Sequence, residues 1–214
     1  MEKVRGQSED ALRLALMEVG RRLYERGLVV ATEGNVSVRL DDRRLLTTPA
    51  GACKGVLTPD QLVIVDLEGR RLQGELLPSS ELPLHLAIYR VRSDVRAIVH
   101  AHPPLATGFA VAGIPLDQPI LAEAVVLLGP VPVTPYGTPT TEELSEAVRE
   151  YIHGHNAILL ANHGALTVGG NLWEAYFRME TLEHVAQVSL VAHLLGRKNV
   201  LSEEEVRKLS ERFR

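Results

Sequence analysis

The chain has 214 residues, 45% of them hydrophobic and 23% charged, with a formal net charge of −4. This is the composition of one ordinary globular domain and excludes a disordered chain, a fibre or a repeat array. With 27 acidic against 23 basic residues there is no basic excess to grip a phosphate backbone, so we expect no nucleic-acid partner. The longest apolar runs, 120–129 and 185–195, reach about half the length a bilayer requires, so no membrane span is expected. The single cysteine, Cys53, can form no internal disulfide, and the first ten residues lack the apolar core of a secretion signal. A cytoplasmic protein acting on a small soluble ligand is expected.

Ser8 caps a predicted helix whose apolar positions Leu12, Leu14, Leu16, Val19 and Leu23 fit a buried stripe, with Gly27 placed to end it. Alternation over 36–40, then 45–48 and 62–67, predicts antiparallel strands. Ser79 and Ser80 precede a helix predicted over 81–91, with Pro83 in the first turn where its missing amide is harmless. A short strand over 97–102 stops at Pro103-Pro104, and a short helix is expected over 104–112. The run 120–128 fits either a helix or a strand. Thr140 with Glu143 resembles a capping box for a helix over 141–152. Strands at 157–161 and 165–168 flank Asn162-His163-Gly164. A long helix over 172–195 ends at Gly196, and Ser202 with Glu205 caps a last, polar helix. Strands mixed with helices, with no linker and no repeat, predict one α/β or α+β domain.

Of eight histidines, the pair His100-Ala101-His102 carries the most information. Residues i and i+2 of a strand project from one face, so both imidazoles can reach one point, as ligands of a shared ion must. His163, at a second strand end, can be aimed at the same ion. Three nitrogens with a fourth position open is the arrangement of a catalytic zinc rather than a structural one. An isolated H-x-H is as often a pair of backbone-bonded imidazoles, so both readings stand on spacing alone. Glu81 in the first turn of a helix can simply answer the macrodipole. The hydroxyls of Ser79 and Ser80 beside free first-turn amides, however, make an anion perch. Two further small polar clusters, 32–37 and 47–51, can close around that anion with neutral donors, although both are also plain turn sequences. There is no nucleophile elbow, Walker loop, dinucleotide fingerprint or C-x-x-C motif. Lys54 and the three lysines nearer the termini are poor Schiff-base candidates, so carbanion chemistry here would use a metal.

Together Gly34-Asn35-Val36-Ser37, Thr48-Pro49-Ala50-Gly51, Pro78-Ser79-Ser80-Glu81, His100-Ala101-His102 and Asn162-His163-Gly164 resemble the class II aldolase/adducin family over about residues 8–195. The resemblance implies a three-layer αβα fold with a central mixed, largely antiparallel sheet over a single domain, 1–214. It implies one Zn²⁺ per subunit on His100, His102 and His163, with Glu81 a fourth ligand when substrate is absent and the acid/base otherwise. It places a sugar phosphate on Thr32, Asn35, Gly51, Ser79 and Ser80, in a homotetramer with sites at subunit interfaces. The segment 202–214 is then a mobile tail or a bridge to a neighbouring subunit. Mn²⁺, Co²⁺ or Fe²⁺ would also suit these ligands.

The branch that cleaves L-fuculose 1-phosphate to dihydroxyacetone phosphate and L-lactaldehyde resembles this chain most. Two positions depart from it: Ala50 removes a hydroxyl from the phosphate loop, and Glu123 replaces a tyrosine that serves the aldehyde oxygen. Glu123 is therefore either catalytic or a solvated helix position. The methylthioribulose-1-phosphate dehydratase branch carries a glutamate near this position but tends to lack the Ser-Ser-Glu start. The L-ribulose-5-phosphate 4-epimerase branch typically has aspartate in place of Glu81. A non-enzymatic, adducin-like domain needs no full set of ligands, so the intact histidines argue against it.

Overall fold

The computed structural model describes residues 8–213. The expectations for the segment before Ser8 and for Arg214 lie outside it. Ser8 accepts from the amide of Ala11 and starts α1 (Glu9–Glu25), whose Leu16, Val19 and Leu23 are fully buried. Eight strands follow: β1 (Asn35–Arg39), β2 (Arg44–Thr47), β3 (Val63–Asp66), β4 (Arg71–Gln73), β5 (Ala97–Ala101), β6 (Val133–Thr134), β7 (Ala157–Leu160) and β8 (Gly164–Gly169). They form one sheet in the order β4-β3-β2-β1-β5-β8-β7-β6. Every pairing is antiparallel except β6 with β7.

Both faces of the sheet are covered, and the strands alternate between two apolar cores. Leu46, Val99, Leu159 and Ala165 face a core shared with α1, α3 (Pro104–Ala112) and α6 (Leu172–Leu194). Their neighbours Leu45, Ile98, Ile158 and Leu166 face a second core with α2 (Leu82–Val91) and α5 (Glu142–Ile152). A strand buried on both faces reads as a near-continuous apolar run, which is why 97–101 and 157–160 look as they do in sequence. The result is the expected three-layer αβα arrangement. No helix among the described residues is long and apolar enough to cross a membrane.

Several local expectations are corrected. The second helix begins at Leu82, not Glu81, which occupies its N-cap without a capping hydrogen bond. The amides at this start are not free: that of Glu81 donates to Ser79 Oγ, that of Leu82 to Ser79 O and that of Leu84 to Glu81 O, while Pro83 has none. The Thr140–Glu143 capping box is absent. Thr140 lies at φ 68°, the N-cap is Thr141, and Glu143 instead accepts from the amide of Thr138. The ambiguous run resolves as α4 (Ala122–Leu127). Strands β4 and β6 give no period-2 signal, because one is three exposed residues and the other only two residues long. The last helix, α7 (Glu203–Arg212), has its capping box from Ser202 and Glu205. It packs on α4, and the amide of Leu201 is tied to the Pro119 carbonyl.

Helix α3 starts two residues after His102 with Pro103 at its N-cap, a residue that offers no capping side chain. Its orphan amides are met from outside: the Glu183 carboxylate of α6 accepts from Leu105 at 3.0 Å and Ala106 at 2.9 Å. Removing this cap in Glu183→Ala is expected to cost about 1–2 kcal/mol, with Glu183→Gln losing less because it keeps an acceptor. Urea denaturation of the three proteins measures it; equal midpoints would show that the cap contributes nothing.

Candidate active site

The site forms where β5, the β7–β8 turn and the start of α2 meet. In the antiparallel registers His100 stands opposite Asn35 on one side and Leu166 on the other. His100 thus shares a face with Ile98, on the side covered by α2, and Asn35 stands beside it. The strand ends at Ala101, so His102 lies one residue beyond it, held by its amide on the Leu28 carbonyl. His163 sits in the turn between β7 and β8, after Asn162 in the left-handed region at φ 54°. Gly164 must be glycine, since a Cβ there would meet His102 Cδ2 at 2.5 Å and the Ala101 carbonyl at 2.6 Å.

Three imidazoles therefore converge like blades of a propeller. Their centroids are 4.8 to 5.0 Å apart and their planes are inclined by 63° to 67°. His100 Nδ1 lies 2.9 Å from the Ala165 carbonyl and His102 Nδ1 lies 2.9 Å from a Glu33 carboxylate oxygen. An acceptor at each Nδ1 places the proton there and leaves the Nε2 lone pair facing inward. Those inward atoms crowd: His100 Nε2 is 3.1 Å from His102 Nε2 and 3.2 Å from Glu81 Oε2, and His163 Nε2 is 3.2 Å from Glu81 Oε1.

The crowding tests whether a metal fits. Tetrahedral ligands each about 2.0–2.1 Å from one ion lie about 3.3 Å apart, and these contacts match that spacing. Glu81 Oε1 and His163 Nδ1 are buried with no hydrogen-bond partner among the described residues. The Nε2 atoms of His100 and His102, whose protons are drawn to Nδ1, gain nothing from facing each other at this distance unless a cation or a proton sits between them. The three histidines and Glu81 are thus able to hold a divalent ion.

Electrostatics agree with that role. Burial works to raise the Glu81 pKa, but the His100 and His163 rings overcome it and keep the carboxyl well below the usual range. Burial, then the neighbouring rings, lowers His102 to about 4, so it is a neutral ligand near pH 7. Asn35 Nδ2 donates to Glu81 Oε2 at 2.9 Å and orients the carboxylate. Below the site, Ser37 Oγ lies 2.7 Å from His85 Nδ1 and 2.9 Å from the Tyr89 hydroxyl. Burial lowers His85 to about 3, so it stays neutral and structural.

The expected phosphate residues are less tightly gathered. A bridge between Pro49 and Pro78, with Ala50 N donating to Leu77 O and Ser79 N to Thr48 O, lays the loop bearing Gly51 against the one bearing Ser79 and Ser80. Gly51 takes the positive φ of 66° that its turn requires. Thr32 is exposed in the turn before Asn35. Glu123 is exposed in the first turn of α4, and among the described residues no hydrogen bond or ion pair joins it to the histidines or Glu81. Glu33 was grouped in sequence with the small polar residues, and nothing there marked it as the partner of His102. Its adjacency to Gly34-Asn35 was the only available signal.

The geometry is the one the aldolase resemblance implies. Residues 14–190 match the Class II Aldolase and Adducin N-terminal domain family. The chain belongs to this family. It is 34% identical over 209 residues to a 3-oxo-tetronate 4-phosphate decarboxylase of Pectobacterium atrosepticum, covering 95% of this chain and 94% of that one. It is equally 34% identical over 200 residues to a 5-deoxy-D-ribulose 1-phosphate aldolase of Bacillus thuringiensis, covering 92% and 93%. A solved L-fuculose 1-phosphate aldolase superposes with a TM-score of 0.89 at 33% identity over 99% of each chain. The protein is an enzyme of the metal-dependent lyase type, with the class II aldolase fold.

Two changes probe the cluster without touching a ligand. Glu33→Ala frees the His102 ring and is expected to weaken metal binding by about ten-fold or more. Gly164→Ala drives a methyl into His102 and weakens it as well. Competition with a chromophoric chelator reads both, and wild-type affinity in either would show that His102 is not held as described.

Proposed function

We propose that this enzyme is a cytoplasmic, zinc-dependent aldolase. It cleaves a phosphorylated ketose such as L-fuculose 1-phosphate to dihydroxyacetone phosphate and an aldehyde such as L-lactaldehyde, and it works as a homotetramer. The observation that carries the reading is the Glu81 carboxylate, ionised, oriented by Asn35 and lying against the three-histidine cluster. Zinc held by His100, His102 and His163 supplies a Lewis acid for the carbonyl end of the substrate, where negative charge develops as the carbon–carbon bond breaks. The residues of this chain do the rest. The loops around Thr32, Asn35, Gly51, Ser79 and Ser80 take the phosphate and supply binding energy remote from the broken bond. Glu81 delivers a proton to the hydroxymethyl carbon of the enediolate, giving dihydroxyacetone phosphate, and removes it in the synthetic direction. Glu123 takes the proton of the hydroxyl that becomes the aldehyde carbonyl.

A second reading is favoured by the decarboxylase relatives, which match over almost the whole chain. Loss of carbon dioxide from a 3-oxo-tetronate 4-phosphate leaves the same enediolate, which the same proton from Glu81 converts to dihydroxyacetone phosphate. The two reactions differ only in the departing group. An aldehyde leaves after its hydroxyl has lost a proton, which calls for a base, whereas carbon dioxide leaves from an anion that a nearby carboxylate would repel. A carboxylate such as Glu123, if it serves the departing side, would suit aldol cleavage rather than decarboxylation, and the Glu123→Gln variant decides this.

Exchange of the hydroxymethyl protons of dihydroxyacetone phosphate in D₂O, followed by NMR, tests the shared half-reaction. Stereospecific exchange is expected, abolished by a chelator and slowed about 100-fold or more in Glu81→Gln. No exchange in the zinc-loaded enzyme would remove both readings. Glu123→Gln is expected to keep the exchange and lose ketose cleavage; retained cleavage would take Glu123 out of the reaction. Release of carbon dioxide from 3-oxo-tetronate 4-phosphate, faster than cleavage of any ketose 1-phosphate, would establish the decarboxylase.

A further inference from the structure

Lys54 is the one fully buried lysine among the described residues, with 2% of its surface exposed. It opens a short 3-10 turn, Lys54–Val56, pressed onto α1. A Cβ at Gly20 of α1 would stand 2.9 Å from the Lys54 carbonyl, and one at Gly55 would stand 2.6 Å from the Tyr24 ring. Its backbone is thereby fixed. Its Nζ donates to the Thr32 carbonyl at 2.6 Å and the Ala52 carbonyl at 2.9 Å. These carbonyls belong to the two loops that carry Thr32 and Gly51. An ammonium has three protons, and only two are placed.

Local charge makes this arrangement unusual. Burial lowers the pKa of Lys54 to about 8, while the nearby Cys53, Glu81 and Glu33 act to raise it. Two neutral carbonyls are weak compensation for a buried cation, and such charges are normally paired. Turning the Ala52 carbonyl toward Lys54 sends the next amide, that of Cys53, in the opposite direction, because the peptide is planar and trans. The amides of Gly51 and Cys53 donate to no acceptor among the described residues. Free amides therefore lie in the same loop as the Ala52 carbonyl that Lys54 holds. The donors assigned to the phosphate are all neutral, and the neighbouring carboxylates of Glu33 and Glu81 would repel a phosphate carrying about two negative charges.

We propose that Lys54 is the fixed positive charge of the phosphate end of the site, a positioning residue that holds the Thr32 and Ala52 loops together and draws the substrate's phosphate against their free amides. The role rests on the sugar-phosphate reading above and extends it, because a missing hydroxyl at Ala50 is compensated by charge from beneath. A brace alone would need only two neutral donors. The charge adds discrimination between a phosphorylated ligand and its phosphate-free counterpart.

Dihydroxyacetone phosphate and dihydroxyacetone share one hydroxyketone and differ only in the phosphate, so the ratio of their affinities isolates that end. Both are titrated calorimetrically into the zinc-loaded wild type, Lys54→Met and Lys54→Arg, with thermal melts run alongside. Lys54→Met is expected to reduce the preference for the phosphate ester by about ten-fold, the effect of removing a buried positive charge that acts on the anion through space. Dihydroxyacetone should bind as before, and Lys54→Arg should retain most of the preference. An unchanged ratio in Lys54→Met, or an equal loss for both ligands, would overturn the proposal and leave Lys54 a brace. If Lys54→Met does not fold, Lys54→Gln, which keeps two neutral donors, is read in the same way. A wild type that does not prefer the phosphate ester would overturn the sugar-phosphate reading itself, an outcome separable from failure of Lys54 alone.

Discussion

Five electron-rich atoms of four side chains, each within 3.1 to 3.2 Å of a neighbour, are the constraint on which the site depends. Left to themselves they would move apart, since neither lone pairs nor a carboxylate gain anything from such proximity. Three of the four side chains are held from behind: His100 by the Ala165 carbonyl across the ladder, His102 by Glu33, and Glu81 by Asn35. Two of these supports arise from strand register, because β1 and β8 flank β5 and deliver Asn35 and Ala165 to the two sides of His100. The sheet therefore does more than carry ligands. It resists the repulsion that a divalent cation would relieve.

Much of this was legible in the sequence. The H-x-H spacing, the position of His163 between two apolar runs and the Ser-Ser-Glu start each carry a local signal, and the structure brings His100, His102, His163 and Glu81 together. The layered fold follows from alternation that serves two cores at once. What stayed hidden depends on partners far away in the chain. The cap of α3 comes from Glu183, 77 and 78 positions beyond the amides it meets, and no rule based on adjacent residues finds it. Glu33 and His102 are 69 apart, and Lys54 reaches back 22 residues to Thr32. The capping box at Thr140 failed for a local reason: the chain turns through the left-handed region there, and Glu143 is drawn to the amide of Thr138 instead.

The relatives act on different phosphorylated substrates with similar overall similarity to this chain. A common intermediate explains how one scaffold serves both. On the proposed function, Glu81 and the histidine cluster would address the half of the substrate that becomes dihydroxyacetone phosphate, and that half would be the same whichever group departs. On that proposal, specificity would lie where the other half sits, in side chains on short or exposed elements rather than on the sheet.

The ligand set is also scattered along the chain, at 81, at 100 and 102, and at 163. No hairpin or helical pair contains it. The cluster exists only once α2 has docked, β5 has paired with β8, and the β7–β8 turn has closed. A cation that favours the assembled cluster binds the native state and not its fragments, so its binding energy adds to the stability of the whole fold. Partial opening at the sheet edge, around β4 or β6, leaves the cluster intact. Loss of such an ion would therefore weaken the fold as a whole, so the ligands that would make the centre reactive would also help the molecule behave as one unit.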